Sequence, residues 1–565
     1  MPAPTGRQRT IVAVGILAFV VALPLVGLFG RPGPPMEEGF MLTFGESFLR
    51  GDVPNRDFLH LYGPGGVWVL AGAFEVFGVS LTVERVVGLL QLVGIIGGVF
   101  LLAWPWGRKV ALTGAVITAF VIIPPIGLTA LAWNGGVALG VLGLAATLGA
   151  MRATTTRTRS VLAILGGALL GATLLYRPDL VLAVALAGFF LVRLSNRAVR
   201  VRVLVAFAAV MTLYLVHFAM AGLGDSIQGM VIDPVFNLRG GRSLPLPPSP
   251  DGYDAFLVQL VDDEAISWPI PNLDGPVQLT IWFALLILSL VALALTAARV
   301  RRREPDAFRG VVLAVVAAFS IGILPQGLQR PDPTHLAWVS CVPFGFLPVV
   351  AYELARRWRP AFSPTRLYIA SAVPVVAVLV LLVPSFLVRE YADVSLETFG
   401  VSRQSHAIEN QGRRFYYGNA EAANELAELL PVANEIARPG DRLVVGTGDL
   451  RKTPLSEAFL YYLLPQTRPG TYYIEMDPGV ANADDSQLAD DLEHADLVIL
   501  SRVWDDFEEP NDSTKLGAPE PNRVLRDRFC TVLELRLYEL LERCDRVDAR
   551  APDDGEDQGE APASI

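Results

Sequence analysis

The fold class predicted from the sequence is an α-helical polytopic membrane protein of about eleven transmembrane helices with a small C-terminal α/β domain. Three observations predict it. Apolar residues make up 52% of the 565 positions and mean hydropathy is +0.44, above the roughly 45–50% apolar content of a soluble domain. The apolar residues gather in segments close to the roughly 20 residues that a helix needs to cross a bilayer. That pattern stops near Val388, and a soluble composition follows it.

The predicted spans are 10–29, 84–104, 109–126, 131–151, 160–175, 179–193, 200–222, 277–298, 309–325, 335–352 and 367–388. The N-terminal run lacks a convincing small-residue cleavage site and is read as a retained anchor. Arginine distribution sets the orientation. The connections 105–109, 152–159, 193–202, 299–309 and 353–366 hold eighteen Arg or Lys residues, and short basic loops stay in the cytoplasm. The N-terminus is therefore expected inside, in the plasma membrane. The loops 31–83 and 223–276, the turns near 176–179 and 326–334, and the chain beyond the last span are expected outside. Pro64–Gly78 is apolar but short, and counting it as a span would invert every later basic loop. It is read as a juxtamembrane or re-entrant element.

Residues 1–390 form the expected membrane domain, and 391–547 an extracytoplasmic α/β domain. In the latter, 421–437 has a helical pattern, 442–446 reads as a buried strand, 471–476 and 496–501 as further short strands, and 528–541 as one or two more. The stretch 548–565 is acidic and rich in Pro, Ala and Gly, which predicts disorder. Cys530 and Cys544 lie in the expected outer domain, where one disulfide is allowed. Arginine outnumbers lysine 43 to 3. Without a basic face or stacking aromatics this reads as coding bias, and no nucleic-acid partner is expected.

The unusual polar residues fall on the expected outer side. Met36-Glu37-Glu38-Gly39-Phe40 follows the first span directly, and carboxylates beside hydrocarbon are costly enough to imply function. The first loop then carries Asp57, His60 and Tyr62 within Pro54–Pro64, and Arg85 opens the second span. Two later turns repeat one motif, Arg177-Pro-Asp179 and Arg330-Pro-Asp332, the second continuing to His335. Arginine suits phosphate through its planar, permanently charged fork of donors. A cluster of Arg177, Arg330 and His335 fits a lipid-linked phosphate, and a carboxylate across the cleft fits a general base for an acceptor hydroxyl.

The order of these features resembles the GT-C superfamily of membrane glycosyltransferases, which includes protein O-mannosyltransferases, aminoarabinose transferases and mycobacterial arabinosyltransferases. The resemblance covers about residues 1–390. It rests on the acidic pair after the first helix, the segment Gly39–Gly51, Asp57-Phe58…Tyr62-Gly-Pro64, Phe77-Gly78-Val-Ser80…Arg85, and the two later Arg-Pro-Asp turns. It implies an inverting transferase that takes a polyprenyl-phosphate sugar and glycosylates a cell-envelope glycan, lipid or protein. The family usually reads Asp-Glu where this chain has Glu37-Glu38. The base role therefore passes to Glu37 by position, with Glu38 as rival. Asp57, His60 and Tyr62 are expected to support the acceptor, and Arg85, Arg177, Asp179, Arg330, Asp332 and His335 the donor phosphate. No cofactor is implied, although the outer carboxylates leave room for a divalent metal.

Plainer readings exist for each residue. The glutamates can merely favour a helix N-terminus, Asp57 can cap a turn, and Arg85 can snorkel. Each Arg-Pro-Asp turn can be a local ion pair. His60 has no second His or Cys at ligand spacing, so no metal site is expected. Tyr472–Met476 and Glu509-Pro-Asn511 read first as packing, and the Pro-rich loop 223–276 as a lid or a linker. As a whole-protein alternative, a transporter or lipid flippase would place ionisable groups near mid-bilayer and show internal repeats. No such repeat is evident.

Overall fold

The computed structural model describes residues 6–248, 275–304, 308–383, 385–401 and 405–550. Ten of its helical segments are long and apolar enough to cross a membrane, which makes the chain a multi-pass membrane protein. They begin with α1 (Gly6–Ala22), which continues into α2 (Leu25–Gly30). Two shorter helices follow, α3 (Pro35–Leu49) and α4 (Gly65–Phe77). The spans resume with α5 (Leu81–Ala103), α6 (Arg108–Ile126), α7 (Ala132–Arg152) and α8 (Thr156–Tyr176). After the short α9 (Val181–Leu194), α10 (Arg197–Met211) and α11 (Leu213–Ala221) together make one crossing. The remaining crossings are α12 (Gly275–Arg303), α13 (Phe308–Gln329), the pair α14 (Pro333–Gly345) and α15 (Leu347–Trp358), and α16 (Pro364–Leu382).

Ten of the eleven expected spans are present, and the eleventh is corrected. The segment 179–193 becomes a single 3-10 turn and the 14-residue α9, too short for a 30 Å hydrocarbon core at 1.5 Å per residue. It packs against α13, where Gly322 lets the two backbones meet: a Cβ there would lie 2.2 Å from the Ala183 Cα. The apolar stretch after Pro64 is the 13-residue α4, also too short to cross. Of the loop 223–276, residues 249–274 lie outside the described ones, as do residues 551–565 of the acidic tail. The described part of that tail is helical as far as Asp548.

The C-terminal region contains a five-stranded sheet and a separate hairpin. The hairpin strands β1 (His406–Asn410) and β2 (Arg413–Tyr417) pair antiparallel. Helix α17 (Ala420–Ile436) follows. The sheet uses β3 (Arg442–Thr447), β4 (Arg468–Pro469), β5 (Leu497–Ser501), β6 (Phe529–Glu534) and β7 (Tyr538–Arg543) in the order β4-β3-β5-β7-β6. Strands β3, β4 and β5 are parallel, and β7 and β6 add an antiparallel edge. Strand β5 is buried along its whole length, as a central parallel strand should be. A disulfide joins Cys530 to Cys544.

The expected strand at 471–476 is absent. Its backbone is bonded elsewhere: Tyr472 N donates to Asp491 Oδ2 at 2.8 Å, and Tyr472 O accepts from Leu59 N at 2.7 Å. That second bond ties the C-terminal region to the loop after α3. The helix Phe459–Leu463 lies directly on α3, where Gly39 is required, because a Cβ would sit 2.3 Å from Phe459 N.

Candidate functional site

Pro34 and Pro35 start α3, with Glu37 and Glu38 in its first turn. Successive helix positions project about 100° apart, so the two carboxylates meet different surroundings. Glu38 is fully buried. Arg85 Nε donates to Glu38 Oε1 and Nη2 to Oε2, each at 2.7 Å, while Arg85 Nη1 donates to the Leu28 and Phe29 carbonyls at 3.1 and 2.9 Å. Gly33 makes room for the pair, since a Cβ there would stand 2.5 Å from Glu38 Oε2. Glu37 is half-buried, one turn before the stacked rings of Phe40, Phe44 and Phe58.

The loop after α3 is built around its own polar side chains. Asp57 Oδ2 accepts from Val53 N at 2.7 Å and pairs with Arg56 at 2.7 Å. Burial works against the Asp57 charge, and Arg56 with the Val53 N–H nevertheless holds the carboxyl below its ordinary value. Asn55, with φ of 70°, donates to the His60 carbonyl at 2.6 Å and meets His217 Nε2 at 2.9 Å. His60 is buried with its ring edge-on to both Phe44 and Tyr62. Burial pushes its pKa down to about 3, so it is neutral at pH 7 and supplies no cation. Tyr62 presents its ring to Arg177, whose Cζ stands 4.4 Å from the ring centroid. Burial first, then the negative charges of Glu475 and Glu37, drive the Tyr62 pKa upward. Glu37 and Glu475 thus both act on Tyr62.

In both Arg-Pro-Asp turns the arginine pairs with the aspartate two residues on. At the end of α8, Arg177 Nε and Nη2 chelate Asp179 at 2.8 and 2.7 Å, and Gln326 donates to the same carboxylate at 2.6 Å. After α13, Arg330 Nε donates to Asp332 Oδ2 at 2.8 Å. Asp332 also caps α14 through His335 N at 2.8 Å and meets His335 Nδ1 at 2.9 Å. Burial opposes the Asp332 charge, but His335 and Arg330 hold its pKa below the ordinary value. Two tryptophans connect the turns. Arg177 lies 5.1 Å from the Trp133 ring, Trp133 stacks on Trp338 at 5.5 Å, and Trp338 meets His335 edge-on at 4.6 Å.

The C-terminal region contributes groups that the sequence reading treated as packing or passed over. Arg330 donates to Glu509 Oε2 at 2.9 Å from Nη1 and to Glu509 Oε1 from Nη2. Arg242 forms an ion pair with Asp477 and lies 3.7 Å from Glu475. Burial raises the Glu475 pKa to about 7, against the pull of Arg242 and Arg177. Trp133 and Trp338 carried no signal beyond their position at span ends. Glu475 and Glu509 carried one, as acidic residues in otherwise apolar or Pro-containing segments.

One face therefore gathers Tyr62, Arg177, Asp179, Arg330, Asp332 and His335, joined by Arg242, Glu475 and Glu509, while Glu37 stands in the first turn of α3. Arg85 stands apart on Glu38, and Asp57 belongs to its own turn. Among the described residues, no three His, Cys, Asp or Glu side chains converge as metal ligands.

No model of a protein family matches the chain, and no curated protein does. Among solved structures, it is similar to ArnT from Cupriavidus metallidurans in the apo state, with a TM-score of 0.48 and 14% identity over 95% of this chain and 98% of that one. ArnT bound to undecaprenyl phosphate gives a TM-score of 0.46 and 14% identity over the same shares. The apo oligosaccharyltransferase of Archaeoglobus fulgidus gives 0.46 and 13% over 86% of this chain and 69% of that one.

Proposed function

We propose that the protein is a membrane glycosyltransferase of the GT-C type. It moves a sugar from a polyprenyl-phosphate donor to a cell-envelope acceptor on the outer face. The observation that carries this reading is the seat of Arg177: a buried guanidinium between the rings of Tyr62 and Trp133. Nε and Nη2 are spent on Asp179, and Nη1 has no hydrogen bond among the described residues. A phosphate oxygen suits that remaining donor, because a charge-assisted bond in a dry site is strong.

In this reading Glu37 accepts the proton of an acceptor hydroxyl as that oxygen bonds to the anomeric carbon. The bond from the anomeric carbon to the phosphate oxygen breaks on the opposite side, and its electron pair leaves with the polyprenyl phosphate. Configuration inverts. Arg177 steadies the phosphate, and Asp179 and Gln326 fix its guanidinium. Arg330, Asp332 and His335 form the second wall, with Glu509 fastening Arg330. Glu38 holds Arg85 and supports α3, a positioning role beneath the base. Asp57, His60 and Tyr62 shape the loop on the acceptor side.

The test uses the full chain in lipid nanodiscs with a panel of radiolabelled polyprenyl-phosphate sugars and a cell-envelope extract as acceptor. Transfer of label from one donor to extract is expected. A panel in which every donor keeps its label, while the protein stays folded, overturns the reading.

A further inference from the structure

We propose that a sugar-headed lipid binds across the first turn of α5, with its chain in a cleft beneath α4 and its headgroup in a groove under the β1–β2 hairpin. This inference does not rest on the transferase reading. Two cavities meet at that turn. The first, of about 530 Å³, is walled by α4, α5 and α7, with Ala73, Phe77, Val86, Leu90 and Ala138 among its lining and few polar groups. The second, of about 770 Å³, is lined by Ser80, Gln411, Tyr416 and Tyr462 together with three arginines and Glu409. Thr82 lines both and is exposed.

Depth and chemistry argue for an amphiphile. From Thr82 to Gly94 the apolar cleft follows α5 for about 18 Å at 1.5 Å per residue, close to one leaflet of a roughly 30 Å core. The polar groove therefore lies where a headgroup of that leaflet would sit. Its cations are already matched. Arg85 is held by Glu38 at 2.7 Å, Arg413 by Glu46 at 2.7 Å, and Arg414 Nε by Glu409 at 2.7 Å. No surplus charge remains to select a phosphate headgroup. The Ser80 and Tyr462 oxygens accept from Val83 N and Leu81 N, Gln411 gives Nε2 to Asn434 and keeps its carbonyl oxygen, and Tyr416 and Tyr462 each set one ring face against an arginine. The hydroxyl protons, the amide oxygen and the opposite ring faces make a set that suits a sugar.

The test is native mass spectrometry of the delipidated full chain titrated with a monoglucosyl dioleoylglycerol, dioleoyl phosphatidylcholine and dioleoyl phosphatidylglycerol. One glucosyl lipid should be retained at least tenfold more tightly than either phospholipid. Thr82→Trp, which fills the junction, should abolish that retention. Tyr416→Ala, a half-buried edge position, should cut the preference while leaving a weaker, unselective binding. Gln411→Ala, at an exposed turn, repeats the headgroup test and removes one exposed hydrogen bond, to Asn434. Equal retention of the three lipids overturns the proposal. So does a preference for phosphatidylglycerol, or a glucosyl preference that all three variants keep.

Discussion

Arg330 and Glu509 form a two-pronged ion pair across 179 positions of chain, Nη1 meeting Oε2 at 2.9 Å and Nη2 meeting Oε1, with both side chains almost fully enclosed. The same guanidinium holds Asp332 through Nε and the Arg242 carbonyl through Nη1. One residue thus fastens the second Arg-Pro-Asp turn to the C-terminal region. An enclosed pair costs most when one partner is removed, because the other is left charged and dry.

Arg330 keeps Asp332 and the Arg242 carbonyl when Glu509 is removed, so Glu509→Ala is expected to lower unfolding stability by about 1–3 kcal/mol, the cost of buried donors left unmet. The neighbouring Glu508 pairs with Lys452 at 3.1 Å while largely exposed, so Glu508→Ala should cost at most about 1 kcal/mol. Denaturant unfolding of both variants in one detergent compares them directly.

Tyr62→Phe keeps an aromatic face beneath Arg177, and Tyr62→Ala removes it. A cation–π contact is worth about 0.5–2 kcal/mol. Donor binding should stay near wild type for the first variant and weaken by roughly twofold to thirtyfold for the second. Titration with the polyprenyl-phosphate donor reads the difference.

Glu457 gives a pH dependence. It is buried among hydroxyls of the C-terminal region, Tyr538 donating to Oε2 at 2.6 Å and Tyr417 to Oε1, and burial raises its pKa to about 7. A carboxyl whose folded pKa is raised binds its proton more tightly in the folded state. Its contribution is full below the ordinary value of 4.5 and is lost as pH rises through 7. The span corresponds to about 3 kcal/mol. Melting temperature measured from pH 4 to 8 should fall with rising pH, and Glu457→Gln should flatten part of that fall. Glu475, which burial likewise raises to about 7, supplies another part.

Glu38→Gln should behave as a folding defect. It leaves the Arg85 guanidinium buried against a neutral amide, at a cost of about 3–5 kcal/mol. Expression and melting temperature should both drop. The double change Glu38→Gln with Arg85→Gln should recover much of the loss, since neither charge then remains unpaired.

The spans were legible in the sequence because a run near twenty apolar residues has little alternative to crossing a bilayer. The exception, α9, is equally apolar, and its length was the signal that went against it. The hairpin β1–β2 was missed, although Gln411 and Gly412, with φ of 47° and 78°, mark a tight turn of the kind that joins antiparallel strands. The segment 471–476 has strand-like composition, and its backbone instead bonds to Asp491, Leu59 and the Thr471 hydroxyl. Within the site, the Arg-Pro-Asp repeat announced two similar turns. Their link through Trp133 and Trp338, the hold of Glu509 on Arg330 and the pairing of Arg85 with Glu38 join residues far apart in sequence. A single sequence carries no record of such pairings. Adjacent glutamates read alike, and the 100° between them on α3 is what divides their surroundings.

Transfer kinetics of Glu37→Gln beside Glu38→Gln test that division of roles. The measurement is the single-turnover rate of label transfer from the donor lipid, normalised to folded protein by melting temperature. Glu37→Gln should stay folded and lose at least about 100-fold in rate. Glu38→Gln should lose stability while its folded fraction still transfers. A Glu37→Gln protein that transfers at the wild-type rate, or a folded Glu38→Gln protein that does not transfer at all, would contradict that division.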